Sequence, residues 1–298
     1  MDTRNILRLA VGVGGTCAVA AGVWGACIEP HLFRVRHQTC RVLPHGSAPL
    51  RVLHISDLHV APWQKHKINW VRALAKLQPD LVINTGDNFG FNSLDTVIHT
   101  LAPLTAFPGI FVFGSNDFHG PAVKNPARYL MGPSEVKETE PDLPADDLRR
   151  ALTLRGWNFV DNCNATLEVK GVKVSVSGLG DAHMNNAHIS PEHPHFETGA
   201  DLNVGVTHSP YSTSVDALID AGAQMVFAGH THGGQIRIPG YGAPVTNSDR
   251  PRDEARGLFT RSGVPVHISA GLGFSIFAPV RFACPPEVTL MELVARES

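Results

Sequence analysis

The feature that most constrains this chain is a series of short apolar runs, each closed by a polar or glycine-containing turn. They span residues 51–56, 80–84, 110–113, 172–176, 202–206, 225–228 and 266–269. The runs are β-rich and lack strict alternation, so they predict strands buried on both faces. Between them, residues 70–77 and 214–221 repeat apolar side chains at helical spacing. Strand, helix, strand implies an α/β fold with helices covering the sheet. With 298 residues, 43% of them hydrophobic, the chain can bury such a core.

A formal net charge of -2 carries no basic excess for a nucleic-acid backbone, and no nucleic-acid partner is expected. Cys17, Cys27, Cys40, Cys163 and Cys284 are odd in number and far apart, which suggests neither a disulfide framework nor a zinc knuckle. Arg4 and Arg8 precede an uncharged stretch, residues 9–27, whose length suits a single membrane span. The expectation is a membrane-associated chain anchored there. A cleaved signal peptide, with Ala18-Val19-Ala20 as its small-residue site, and a buried helix are the competitors. Arg34, Arg36 and Arg41 offset Arg4 and Arg8, leaving orientation open. The expected division is therefore an anchor or signal over 1–30, a linker over 31–49 and one domain over 50–298. Within it, the proline-rich stretch 118–144 breaks the strand–helix rhythm, as a functional lid or a disordered loop would.

Five polar blocks follow the predicted strands, where open α/β sheets place their ligand sites. They are Asp57-Leu58-His59, Gly86-Asp87-Asn88, Gly114-Ser115-Asn116-Asp117, Thr207-His208-Ser209 and Gly229-His230-Thr231-His232-Gly233. Each alone could be an ordinary turn or a satisfied histidine. Together they offer carboxylate, amide and imidazole donors without a thiolate, a set that suits Mn, Fe or Zn. So many donors exceed one tetrahedral ion and match two ions sharing a carboxylate, the arrangement that clamps a phosphoryl centre.

Over residues 50–294 the chain resembles the calcineurin-like metallophosphoesterases, whose blocks run D-x-H, GD, GN-H-D/E, H and G-H-x-H. It looks nearest to their bacterial, membrane-associated branch. The resemblance implies a two-sheet sandwich flanked by helices, and makes residues 50–298 a catalytic domain. It implies that Asp57, His59, Asp87 and His232 hold one metal, and that Asp87 bridges to a second completed by Asn116, His208 and His230. It also implies hydrolysis of a phosphomonoester or phosphodiester, lipid-linked esters among the candidates, by a hydroxide between the two metals. Where the family has Gly-Asn-His this chain has Ser115-Asn116-Asp117, so the usual proton donor is replaced. Asp117, His119 and His183 are the candidates for that role; a metal-binding but catalytically silent protein is the alternative. Lys124, Arg128 and Arg281 could meet a phosphate.

Overall fold

The computed structural model describes residues 15–17, 19–121, 140–274 and 279–297. The described strands, numbered in chain order, form two six-stranded sheets. The first runs β1 (Arg34–Leu43), β12 (Glu287–Ala295), β2 (Leu50–Ile55), β3 (Leu81–Asn84), β4 (Gly109–Phe111) and β5 (Trp157–Phe159). The second runs β10 (Gly257–Arg261), β11 (Val264–Ile268), β9 (Met225–Ala228), β8 (Leu202–Thr207), β7 (Val172–Leu179) and β6 (Asn164–Val169).

Alternation along each strand explains why the runs read as continuously apolar. Val52, Ile83 and Ile110 face inward and pack against Val174, Val204 and Phe227 of the opposite sheet. Their neighbours Leu53, Val82 and Phe111 face outward, under the helices Lys65–Ala73, Leu94–Leu101 and Ala145–Thr153. The second sheet is covered in the same way by the helix Ser212–Asp220, through Val215 and Leu218. The result is the expected sandwich flanked by helices.

Two expectations change. Residues 31–49, read as a linker, contain β1, which pairs in parallel with β12 from Arg34↔Glu287 onward. No helix among the described residues is long and apolar enough to cross a membrane. Residues 9–14 and 18 of the expected span lie outside the described residues, but its end is built into the domain. Trp24–Ile28 forms a π-helical turn in which Gly25 is buried and accepts from Arg281 N at 2.9 Å. Trp24 Nε1 donates to Glu29 Oε2 at 2.6 Å. Only Gly25 of this turn is buried; Val23, Trp24 and Ile28 remain exposed. Most of the proline-rich stretch, residues 122–139, lies outside the described residues.

One polar pair joins the sheets. His54 on β2 and His267 on β11 are fully buried, with their Nδ1 atoms 2.8 Å apart. One ring must donate and the other accept, so both cannot be charged, and burial keeps both neutral. Burial, then the charge of Arg36, pushes His267 down to about 3; burial, then His267, holds His54 well below its usual value. Because both folded values are depressed, the stability they confer is complete above 6.5 and is lost as pH falls below it. Between pH 7 and 5 that loss is about 2 kcal/mol per ring. Urea denaturation at the two pH values should therefore show a drop about 4 kcal/mol smaller in the double variant His54→Leu/His267→Leu. An equal drop in both proteins would contradict the neutral pair.

Candidate metal centre

The turns that leave β2 and β3 are interlocked by backbone bonds: Asp57 N to Gly86 O at 2.8 Å, and His59 N to Asp87 O at 3.0 Å. Asp57, His59, Asp87, His230 and His232 all have positive φ, at 49, 38, 55, 70 and 50°. Left-handed backbone at such residues costs about 1–3 kcal/mol each and persists only where the surroundings enforce it. Part of that enforcement comes from Lys67, which is buried and donates from Nζ to Leu58 O at 2.9 Å and His59 O at 3.1 Å. Burial pushes its ammonium down to about 7, with Arg281 adding to the shift. Gly114 leaves room at the centre: a Cβ there would lie 2.3 Å from Asp87 Oδ1 and 2.5 Å from His208 Nε2.

Asp57, His59, Asp87 and His232 each bring a ligand atom within 4.8 Å of the others. His59 Nε2 is 3.4 Å from Asp87 Oδ2, and His232 Nε2 is 3.5 Å from Asp57 Oδ1. Asp87 also faces the other block, with Oδ2 at 3.6 Å from His208 Nε2 and 2.7 Å from Asn116 Nδ2. His230 stands beside His208, ring centres 5.2 Å apart, and its Nε2 lies 3.0 Å from Asn247 O. The Nε2 atoms of both His59 and His208 are buried without a hydrogen-bond partner. A buried, unpartnered nitrogen costs about 1–3 kcal/mol, and a cation on its lone pair relieves that cost. His208 donates from Nδ1 to Thr85 O at 2.6 Å, which turns Nε2 toward Asp87.

The charges agree with a cation site. Burial opposes ionisation of Asp87, but His208 and His59 hold its carboxyl well below the usual carboxylate range. Burial lowers both His230 and His232, with His208 and His59 respectively adding to it, so both rings are neutral, as ligands must be. Burial also works against a charged His208, yet Asp87, Asp181 and Asp57 outweigh it and raise it to about 10. A cation would compete with that proton for the same nitrogen.

Of the three proton-donor candidates, Asp117 is turned away from the cleft. It is fully buried; Oδ2 accepts from Asp87 N (2.7 Å) and Gly114 N (3.0 Å), and Oδ1 from Asn88 N (2.9 Å) and Asn88 Nδ2 (3.1 Å). Burial and Asp87 raise it to about 6 against those bonds. The carboxylate that replaces the family histidine thus braces the turn bearing Asp87. His119 is half-buried just after the short helix Ser115–Phe118. His183 is half-buried at the cluster itself: its ring centre is 4.7 Å from that of His230, and Nδ1 lies 2.7 Å from Tyr211 Oη. Arg281 is no phosphate ligand, because it is fully buried and donates to Cys284 O, Ala270 O and Gly273 O. Lys124 and Arg128 lie outside the described residues. Lys67, Asn247 and Tyr211 were not among the residues singled out in the sequence; they reach the site through tertiary closure, and no local motif marks them.

The family profile described as calcineurin-like phosphoesterase matches residues 50–234. The uncharacterized metallophosphoesterase YkuE of Bacillus subtilis is 24% identical over 98% of both chains. The UDP-2,3-diacylglucosamine pyrophosphatase LpxG of Chlamydia trachomatis is 27% identical over 92% of this chain and 93% of its own. The phosphodiesterase YaeI of Escherichia coli is 24% identical over 89% and 90%.

Proposed function

We propose, since the chain belongs to the calcineurin-like phosphoesterase family, that it hydrolyses a phosphate ester at two divalent cations. The observation that carries this reading is Asp87, a buried ionised carboxylate between two sets of donors. Asp57, His59, Asp87 and His232 would hold one cation; Asp87, Asn116, His208 and His230 would hold the other. The donor set favours Mn, Fe or Zn. Cations there would supply a water activated near neutral pH and would draw charge from the phosphoryl oxygens. The names of YaeI and LpxG support a diester or a lipid-linked phosphate as substrate. Chelation should abolish hydrolysis of an aryl phosphodiester by the full chain, and re-addition of Mn²⁺, Fe²⁺ or Zn²⁺ should restore it. A catalytically silent protein would bind the ions and turn over no ester.

This chain's own part is to orient the ester and to place a proton on the leaving oxygen. We assign that role to His183, whose ring borders His230 and is hydrogen-bonded to Tyr211. His183→Gln should slow alkyl esters by about 10²-fold or more, while aryl esters, which leave without a proton, lose far less. His119→Gln should not change the ratio. Equal losses on both ester types for His183→Gln would remove it from that role.

A further inference from the structure

A crevice of about 400 Å³ lies where the chain enters the first sheet. Trp24, Leu32 and Phe282 give it an apolar wall, and Arg34, Arg36, Arg256 and the buried Glu29 are also among its lining residues. The acids nearby are already engaged. Glu287 takes Arg36 through two bonds, Nε to Oε1 at 3.1 Å and Nη2 to Oε2 at 2.8 Å. Glu29 accepts from Trp24 Nε1, Ala283 N and Cys284 N and is 3% exposed. Arg34 and Arg256 meet no carboxylate among the described residues. Arg237 close by is lowered first by burial and then by the charge of Arg256. Trp24 and Leu32, meanwhile, leave 43% and 37% of their surface in water.

A solvated arginine needs no ligand, and a single exposed apolar side chain needs no explanation. The combination in one concave space is different. A free phosphate would satisfy the guanidinium groups and leave the tryptophan wet, and an alcohol would do the reverse. We infer that this crevice binds an anionic amphiphile, with a phosphate-bearing head on Arg34 and Arg256 and an apolar body against Trp24, Leu32 and Phe282. Its volume is at the lower end of the range for small-molecule sites, enough for a head and a short length of chain.

The crevice lies at the metal end of the sandwich. β12 runs antiparallel to β2 and β1 runs with β12, so β1 begins where β2 ends. Glu287 N donates to Gly271 O at 3.0 Å, and a Cβ on Gly271 would lie 2.7 Å from Asp57 Cβ. A Cβ on Gly233, next to His232, would lie 3.0 Å from Arg256 Cδ. One layer of backbone therefore separates the bound head from the candidate metal ligands. Binding here requires no hydrolysis, so the proposal stands or falls apart from the catalytic reading.

The test is calorimetric titration of the full chain with monomeric hexyl phosphate, inorganic phosphate and hexanol, repeated on Arg34→Gln/Arg256→Gln. That variant keeps every candidate metal ligand, so binding at the cluster is common to both proteins and the difference belongs to the crevice. Hexyl phosphate should bind at least about tenfold more tightly than either fragment, and the double variant should lose about tenfold. Leu32→Ser, which adds no charge, should weaken hexyl phosphate and leave inorganic phosphate unchanged. Flotation with phosphatidylcholine vesicles doped with phosphatidic acid separates the sources: arginine-dependent flotation assigns a bilayer lipid, and hexyl phosphate binding without flotation assigns a free amphiphile. Hexyl phosphate binding no tighter than inorganic phosphate, or unchanged in the arginine variant, would overturn the proposal.

Discussion

Replacing Asp117 with alanine should destabilise the protein by about 3–5 kcal/mol and strip metal from it, because four donors would together lose the buried acceptor they share. Those donors are Asp87 N, Asn88 N and Asn88 Nδ2 in the turn that aims Asp87, and Gly114 N in the turn beside it. Asp117→Asn retains one acceptor oxygen but sets an amide NH₂ against backbone N–H groups, so it should show a smaller loss of the same kind. Alkyl and aryl esters should then slow in parallel, with a lower urea midpoint and lower metal content. If Asp117→Asn instead slowed alkyl esters alone, at full stability and full metal content, the carboxyl would be the proton donor and the bracing account would fail.

The second large effect belongs to Asp87→Asn. Asp87 Oδ1 accepts from Asn116 N at 2.8 Å, while Oδ2 faces His59, His208 and Asn116. An amide has one oxygen in place of two and no charge, so it can neither be shared by two cations nor offset them. The phosphoryl charge stabilisation of several kcal/mol that cations supply would be lost, about 10³-fold or more in kcat for aryl and alkyl esters alike. The variant should fold, since the amide oxygen can still accept from Asn116 N. Hydrolysis within about tenfold of the parent would show that Asp87 is not shared between cations.

The strands that carry the site were legible because each is buried on both faces and stops at a functional block. β1 was not: its sequence RVRHQTCRVL is largely exposed, as suits an edge strand paired on one side only. β12 starts after two prolines and carries Glu287, whose partner Arg36 is 251 residues away, so neither end announced the pairing. Ligand types could be read from the blocks, but the direction of a side chain could not. On the short helix Ser115–Phe118, successive residues point about 100° apart. Asn116 therefore meets Asp87, while Asp117 turns back under residues 86–88. Hydropathy alone also could not show that Gly25 is buried against the 280–282 segment while the residues around it stay exposed.

Whether Asp87 is shared by two cations is tested most directly by calorimetric titration of the chelated full chain with Mn²⁺ alongside Asp87→Asn. Two equivalents are expected for the parent, with protons released as His208 gives up the one that Asp87, Asp181 and Asp57 hold on it against burial, and neither equivalent at comparable affinity for the variant. One equivalent in the parent, or two undiminished in Asp87→Asn, would contradict that sharing.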